Sequence, residues 1–280
     1  MAIDFHCNLF THASIKTNWY DAPEMYRLIK WWKMEDRVQG KTVEEFVAMM
    51  DDAGCDKVLI PAIRMFSYKR KTLVWDITEE EVLEAVKASN GRIVGLAGFN
   101  PFKGMESVRQ VEKAVKEYGF KGVYIHPYGW GIPLNHRQFY PLYAKCAELG
   151  VPVSMQVGHS AEHMPNEFGR PIHMDDIALD FPELNIIGAH TGWPWTEEMI
   201  SLAWKHENVY LGIDAHNPKY LEPTLVHFMK TRGQNKVIWG TNYPAITHKD
   251  AIHTIRTELG LSDKVAEKVL HGNAARVYKL

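Results

Sequence analysis

Eight short apolar runs, separated by helical stretches, recur along the chain, and this alternation most constrains its fold. Most of the runs are rich in β-branched residues, as expected for strands that are buried on both faces. They span residues 3–8, 57–60, 93–97, 122–126, 152–157, 185–190, 209–214 and 236–242. Alternating strands and helices predict a parallel sheet, and eight repeats favour a closed (β/α)8 barrel of the TIM type over an open sheet.

Helix signals fall in the intervals between these runs. Thr42 begins one helical pattern that Gly54 closes, and Thr78 with Glu81 forms a capping box at the start of another. The chain has 280 residues, of which 46% are hydrophobic, whereas a TIM-type barrel needs roughly 250 residues. We therefore predict one α/β barrel domain over residues 1–280. The least regular stretches, 10–40, 63–77 and 158–175, each follow a strand.

Composition excludes several classes of function. A formal net charge of −2 gives no electrostatic footprint for nucleic acid or for an anionic membrane. The three cysteines, Cys7, Cys55 and Cys146, have no metal-type spacing and are too few for a disulfide framework, which favours a reducing cytosol. There is no signal-peptide pattern and no apolar run of about 18 residues. We therefore expect a cytoplasmic protein that acts on a small molecule, without a nucleic-acid or membrane partner.

Polar and titratable residues end most of the predicted strands, where a parallel barrel keeps its active site. His6 and Asn8 are two residues apart on the first strand, so their side chains share a face. The other candidates on these ends are His126, Gln156, His159, His190, Asp214, His216 and Asn242. We assign catalytic roles to His126, His159, His190 and Asp214, and substrate contacts to Asn8, Gln156, His216 and Asn242. The structural alternative for each is a hydrogen-bonded core residue or a loop cap.

Several motifs together resemble one known family. The chain opens with Asp4-x-His6-x-Asn8, has Gly-Trp-Pro-Trp at 192–195, Gly-Thr-Asn-Tyr-Pro at 240–244, and ends with Gly-Asn-Ala-Ala-Arg at 272–276. This pattern resembles the second branch of the amidohydrolase superfamily, over nearly the whole chain. That branch includes enzymes like aminocarboxymuconate-semialdehyde decarboxylase and pyrone-dicarboxylate lactonase. The resemblance also implies a TIM-type barrel.

The family's metal-ligand pattern is altered in this sequence. The resemblance implies a divalent metal bound by an opening His-x-His, by a histidine on strand five, and by an aspartate on strand eight that is also the general base. Here these positions hold Asn8, Gln156 and Asn242, so that His6 and His190 are the metal ligands that remain. An amide oxygen is a weak ligand for zinc-like ions, and an amide cannot accept a proton as a carboxylate does.

Three outcomes follow from this altered set. A zinc or manganese ion is held by a shifted set that contains His6, His159 and His190 with Asp214 or His216, or the active site works without metal, or the barrel has lost catalysis. The resemblance implies hydrolysis of a lactone, ester or amide in a small carboxylated compound, which we prefer. The alternatives are non-oxidative decarboxylation of an aromatic or muconate-like acid, and a non-catalytic barrel that binds a small acid.

Roles follow for the reaction that we prefer. His6 and His190 bind a metal or polarise the substrate carbonyl, and His159 or Asp214 activates water. A carboxylated substrate also needs a clamp, and Arg64 and Arg170 are the candidates because a guanidinium holds a carboxylate through two hydrogen bonds. Lys121 stands at the other end of its strand and is read as structural. Relatives that form dimers, and the tryptophan-rich first loop, suggest a homodimer.

Overall fold

Eight parallel strands form the centre of the protein. A computed structural model describes residues 1–280. The protein has ten strands in all, of which β3 and β4 form a separate pair: β1 (Ala2–Asp4), β2 (Cys55–Pro61), β3 (Ile63–Phe66), β4 (Leu73–Ile77), β5 (Ile93–Gly98), β6 (Val123–Ile125), β7 (Val153–Gln156), β8 (Ile186–Ala189), β9 (Val209–Gly212) and β10 (Val237–Ile238). The sheet order is β1-β2-β5-β6-β7-β8-β9-β10, and every pair is parallel. This confirms the predicted TIM-type barrel.

The two outer strands of this order, β1 and β10, meet through residues just beyond their regular ends. The amide of Phe5 donates to Trp239 O over 3.2 Å, and the amide of Asn242 donates to His6 O over 2.8 Å. These bonds close the barrel. Closure therefore brings the end of the first strand beside the end of the last one.

Asp4 reinforces this closure from inside the barrel. Its fully buried carboxylate accepts hydrogen bonds from the backbone amides of His6 and Thr241, each over 3.0 Å, and from the Thr241 hydroxyl. His248 Nε2 lies 3.0 Å from its other oxygen. Because buried polar groups must be hydrogen-bonded, this one side chain fixes the relative position of the two strand ends.

Helices connect the strands and cover the barrel. The α-helices are His12–Ser14, Pro23–Trp32, Val43–Ala53, Glu79–Ala88, Met105–Lys116, Tyr140–Leu149, Met174–Asp180, Thr196–Lys205, Pro223–Lys230, His248–Thr257, Asp263–Glu267 and Asn273–Tyr278. Shorter 3-10 and π-helical turns are Ile15–Tyr20, Pro101–Lys103, Tyr128–Trp130, Asn166–Gly169, Pro171–His173, Pro218–Tyr220 and Lys268–Gly272. None of the helices combines the length and hydropathy that crossing a bilayer requires.

The predicted helix signals are confirmed where they were clearest. Thr42 caps the helix Val43–Ala53, and Gly54 ends it with a left-handed φ of 71°. Thr78 and Glu81 form both hydrogen bonds of a capping box. These side chains satisfy backbone amides that the first helical turn leaves without partners.

The stretch 63–77, predicted as irregular, instead contains an antiparallel hairpin of β3 and β4. Its inward residues include Met65, which pairs with Trp75 across the hairpin. The sequence alternates buried with less buried residues along both strands, which is the period-two pattern of a half-buried sheet. The pattern is short and interrupted by the turn, so periodicity alone does not distinguish it from an irregular segment.

One end of the barrel is sealed by the C-terminal helix. Ala274, Val277 and Tyr278 pack in one cluster with strand residues such as Ile3 and Leu96. Lys279 Nζ donates over 2.7 Å to the backbone oxygen of Gly150, which ends the helix before β7. Apolar side chains therefore fill this end. The cavity that contains the candidate site lies at the opposite end, where the strands finish.

Candidate functional site

A cavity of about 280 Å³ lies among residues that follow the C-terminal ends of the strands. Its walls are mostly apolar and include Trp19, Met25, Leu28, Trp32, Ile63, Met65, Trp75 and Tyr124. Its polar lining consists of Asn8, His126, Gln156, His159, Glu162, His190, His216 and Asn242. Aromatic side chains from the segment between β1 and β2 therefore cover the site, although Trp31 in this segment is 66% exposed. The segment, predicted as irregular, contains the helices Ile15–Tyr20 and Pro23–Trp32.

Asp214 anchors two histidines below this cavity. Its Oδ2 lies 2.6 Å from His6 Nδ1 and 2.8 Å from His190 Nδ1, and its Oδ1 accepts the backbone amide of His190 over 2.7 Å. Burial alone would raise the pKa of Asp214, but the two imidazoles hold the pKa well below its usual range. The ionised carboxylate therefore fixes both rings with their Nε2 atoms turned away from it.

The same three side chains can hold a divalent metal. His6, His190 and Asp214 each offer a ligand atom, and these atoms lie within 4.8 Å of one another. Imidazole nitrogens and carboxylate oxygens are ordinary ligands of zinc-like and manganese-like ions. His6 Nε2 is moreover buried and has no hydrogen-bond partner. The predicted ligands His6 and His190 are therefore brought together. Asp214 faces their Nδ1 atoms, so it would orient the two rings for a metal on the Nε2 side or would itself join the ligand set in place of these contacts. His159 and His216, which the predicted set also contained, are not part of this group.

The three amides at the family's usual ligand positions bond to their neighbours. Asn8 Nδ2 donates to Asn242 Oδ1 over 2.7 Å and to Tyr243 O over 2.8 Å. Tyr124 donates its hydroxyl hydrogen to Gln156 Oε1 over 2.9 Å. These bonds occupy two of the amide oxygens that a metal would need. Asn8, Gln156 and Asn242 are therefore polar groups of the cavity lining, and their contacts with substrate stay a prediction.

His159 is positioned by a close crossing of two loops. Its backbone amide donates to Trp193 O over 2.7 Å, and its ring packs edge-on against the Trp193 ring, with centroids 4.8 Å apart. Gly158 has a φ of 94°, and a Cβ there would lie 2.4 Å from Trp193 O. Burial lowers the pKa of His159, and the charge of His190 lowers it further. At neutral pH this imidazole is therefore neutral and able to accept a proton.

His216 is the second neutral imidazole on the cavity. Its ring lies 5.9 Å from that of His159. Burial, and then the charges of His190 and His159, lower its pKa to about 4. Its charged form is therefore disfavoured in the folded protein throughout the neutral range.

We expect this shift to make stability depend on pH. The unfolded chain protonates His216 near pH 6.5, whereas the folded chain does so near pH 4. The unfolded state therefore binds more protons between these values, and stability falls as the pH is lowered. When the pH is lowered from 6.5 to 5, the free energy of unfolding should therefore decrease in both proteins, but by about 1 to 2 kcal/mol less in a His216→Asn variant than in the wild type.

Urea unfolding at several pH values measures this difference. His253, which is exposed and remote from the cavity residues, supplies the control variant His253→Asn. Parallel pH curves for the wild type and His216→Asn would contradict the expectation.

His126 lies on the cavity with a partner that the sequence did not indicate. Its side chain is buried, and its Nε2 is 3.8 Å from Glu162 Oε2. Glu162 accepts a hydrogen bond from Ser160 Oγ over 2.6 Å, and its pKa is lowered to about 2. Burial opposes this shift, which His126 and Ser160 bring about. No spacing marks Glu162 within the irregular stretch 158–175; only its position after strand β7 pointed to the site.

The structure does not bring the two proposed clamp arginines to the cavity. Arg64 Nη2 lies 2.7 Å from Glu79 and its Nε lies 2.9 Å from Asp76. Arg170, which is half exposed, pairs with Glu198 at 2.7 Å. Acidic neighbours that the sequence pattern did not reveal therefore take up both guanidinium groups. No lysine or arginine is among the lining residues, and histidine is the cavity's one basic residue type.

Comparisons with known proteins cover almost the whole chain. A family model described as Amidohydrolase matches residues 3–280. An uncharacterised TIM-barrel protein from Bordetella bronchiseptica is similar in structure, with a TM-score of 0.81 and 23% identity, over 99% of this chain and 97% of that one.

Two enzyme structures have the same fold. A 5-carboxyvanillate decarboxylase from Novosphingobium aromaticivorans, complexed with manganese and 4-hydroxy-3-methoxy-5-nitrobenzoic acid, matches with a TM-score of 0.70 and 17% identity, over 100% and 96% of the two chains. A 4-oxalomesaconate hydratase from Rhodopseudomonas palustris matches with a TM-score of 0.66 and 19% identity, over 100% and 96%.

Proposed function

Because this chain belongs to the amidohydrolase family, we propose that it is an enzyme that hydrolyses an ester or lactone bond in a small, mainly aromatic substrate. One observation carries the proposal. A neutral imidazole, His159, lines the same apolar cavity as His190, whose ring is anchored by a buried carboxylate. A base and a polarising group on one cavity are the two elements that water attack on a carbonyl requires.

The reaction can be written with these side chains. His159 accepts a proton from a water molecule while the water oxygen bonds to the carbonyl carbon. His190, carrying a hydrogen on both ring nitrogens, faces Asp214 with Nδ1 and donates a hydrogen bond from Nε2 to the carbonyl oxygen, which gains negative charge. The tetrahedral intermediate then collapses, the bond to the leaving oxygen breaks, and His159 returns the proton to that oxygen. Asp214 keeps the ring of His190 in the required orientation.

A divalent metal is compatible with a variant of this scheme in which His190 would be a ligand and would no longer donate to the carbonyl oxygen. His6, His190 and Asp214 are the residues that would hold it, and the decarboxylase structure described above contains manganese. When bound, such an ion supplies Lewis-acid polarisation of the carbonyl oxygen. The role of His159 is unchanged in that case.

Non-oxidative decarboxylation is the second candidate, and one observation favours it. The cavity has apolar walls and no lysine or arginine. A carboxylate in such surroundings is poorly solvated, and this favours its loss as neutral carbon dioxide. The similarity in fold to a 5-carboxyvanillate decarboxylase supports including this reaction in the test. The absence of a cationic clamp is also why we prefer an uncharged ester or lactone to a carboxylated one.

A substrate panel separates the two reactions by their products. We would incubate the purified protein with aryl esters, aromatic lactones and hydroxybenzoic acids, before and after chelation and with added zinc or manganese. Liquid chromatography with mass spectrometry reports the result. Ester cleavage that Asp214→Asn abolishes supports hydrolysis, and loss of a carboxyl group supports decarboxylation. Binding of these compounds without turnover under any metal condition would contradict both reactions and indicate a binding barrel.

A further inference from the structure

We propose that His126 and Glu162 together receive a hydroxyl group of the substrate, so that the preferred substrates are hydroxylated aromatic compounds. This inference rests on the proposed function and adds to it the class of substrate. Both side chains line the cavity, and neither has a part in the water attack described above.

His126 is the first observation. Its residue is only 5% exposed, and neither of its ring nitrogens has a hydrogen-bond partner. Leaving a buried polar atom without a partner costs about 1 to 3 kcal/mol, so such groups call for an explanation. The ring is held in place by its packing against Tyr128, with centroids 5.2 Å apart, and by the bond from Trp130 Nε1 to the His126 carbonyl over 2.9 Å. An imidazole that is fixed in place and whose ring nitrogens make no hydrogen bond in the protein is suited to hydrogen-bond a ligand in the cavity.

Glu162 is the second observation. Its side chain is 10% exposed, and it is the one carboxylate among the cavity-lining residues. Ser160 donates to its Oε2, whereas its Oε1 accepts no hydrogen bond from the protein. The bond to Ser160 alone would fit a residue that shapes the loop. Oε1 is open, and Oε2 lies 3.8 Å from the His126 ring, whose nitrogens make no hydrogen bond, so the pair can also serve a ligand.

The spacing of the pair selects the ligand group. His126 Nε2 and Glu162 Oε2 are 3.8 Å apart, which is too long for a direct hydrogen bond. One oxygen atom can nevertheless lie within about 2.8 Å of both. A hydroxyl can donate its hydrogen to Glu162 and accept one from His126, whereas a carboxylate would be repelled by Glu162. The aromatic walls place this hydroxyl on a ring.

The test compares two esters of nearly equal shape, 4-hydroxyphenyl acetate and 4-methylphenyl acetate. A site built to hydrogen-bond a hydroxyl rejects the analogue that lacks it. We expect the wild type to prefer the hydroxylated ester by about 10- to 100-fold in kcat/KM. Glu162→Gln and His126→Phe should bring this ratio of kcat/KM values close to one. The control Glu167→Gln changes an exposed carboxylate of the same loop that does not line the cavity, and should retain the preference.

Binding to the phenol itself keeps the proposal testable if neither ester is cleaved. Trp19, Trp32 and Trp75 line the cavity, so tryptophan fluorescence can follow the binding of 4-methylphenol and of its methyl ether, 4-methoxytoluene. Tighter binding of the phenol that Glu162→Gln abolishes would support the hydroxyl site even if hydrolysis fails. Equal binding of the two compounds, or equal cleavage of the two esters, would overturn it while leaving hydrolysis intact.

Discussion

Replacing His159 by glutamine should lower kcat/KM for the cleaved ester by about 10²- to 10⁴-fold, the usual contribution of a general base. Glutamine fills a similar volume and cannot accept a proton at neutral pH. The backbone bond from residue 159 to Trp193 O, and the close approach of Gly158, are both independent of the side chain. The fold of this loop should therefore survive, and KM should change much less than kcat.

The pH profile distinguishes a general base from a residue that only shapes the cavity. Because burial and His190 lower the pKa of His159, the acidic limb of the wild-type kcat/KM profile should lie below pH 6.5. In His159→Gln this limb should disappear together with most of the activity. The exposed His253→Gln is the matched control. A His159→Gln enzyme that keeps its activity and its acidic limb would rule out this histidine as the base.

Replacing Asp4 by alanine should lower the free energy of unfolding by about 3 to 5 kcal/mol. The carboxylate accepts bonds from two backbone amides and from the Thr241 hydroxyl, and His248 approaches it. Alanine would leave these buried donors without an acceptor and would open a cavity in the core. Asp4→Asn keeps the size but places an amide group against the donors, so an intermediate loss is expected.

Urea unfolding followed by tryptophan fluorescence measures these losses. Asp52 is 68% exposed and contacts Lys249 at the surface, so Asp52→Ala should change the free energy of unfolding by less than about 0.5 kcal/mol. A loss for Asp4→Ala as small as that of Asp52→Ala would show that Asp4 does not hold the strand ends together. An unchanged urea slope would show that the effect is on stability and not on compactness.

The parts of the fold that could be predicted from the sequence are those that depend on residues close together in the chain. Each buried strand is a continuous apolar run, and the caps at Thr42 and Thr78 depend on residues three positions away. Because parallel strands end on one face, the sequence predicted that His6 and His190 meet with His159 and with Asp214 or His216, and the structure groups the first two with Asp214. The single-domain organisation and the homodimer remain predictions.

What could not be predicted depends on contacts between distant segments. Arg64 was a reasonable carboxylate clamp by strand position, but Glu79, on the following helix, pairs with it. Glu162 reaches the cavity because of the path of an irregular loop, and its partner His126 directly follows the end of strand β6. Pairing between such distant side chains depends on three-dimensional packing, which the hydrophobic periodicity of the sequence does not predict.

The bonds between the ends of β1 and β10 also determine when the site can form. His6 and Asp214 are 208 positions apart in the chain, and Asp4 and Thr241 are 237 apart. Contacts between such distant positions form late, because the entropy of closing a long loop must be overcome first. During synthesis, β1 therefore cannot pair with β10 until nearly the whole chain has been made. In the finished protein, a local opening along this seam would dismantle the histidine cluster while most of the other helices and strands stayed folded.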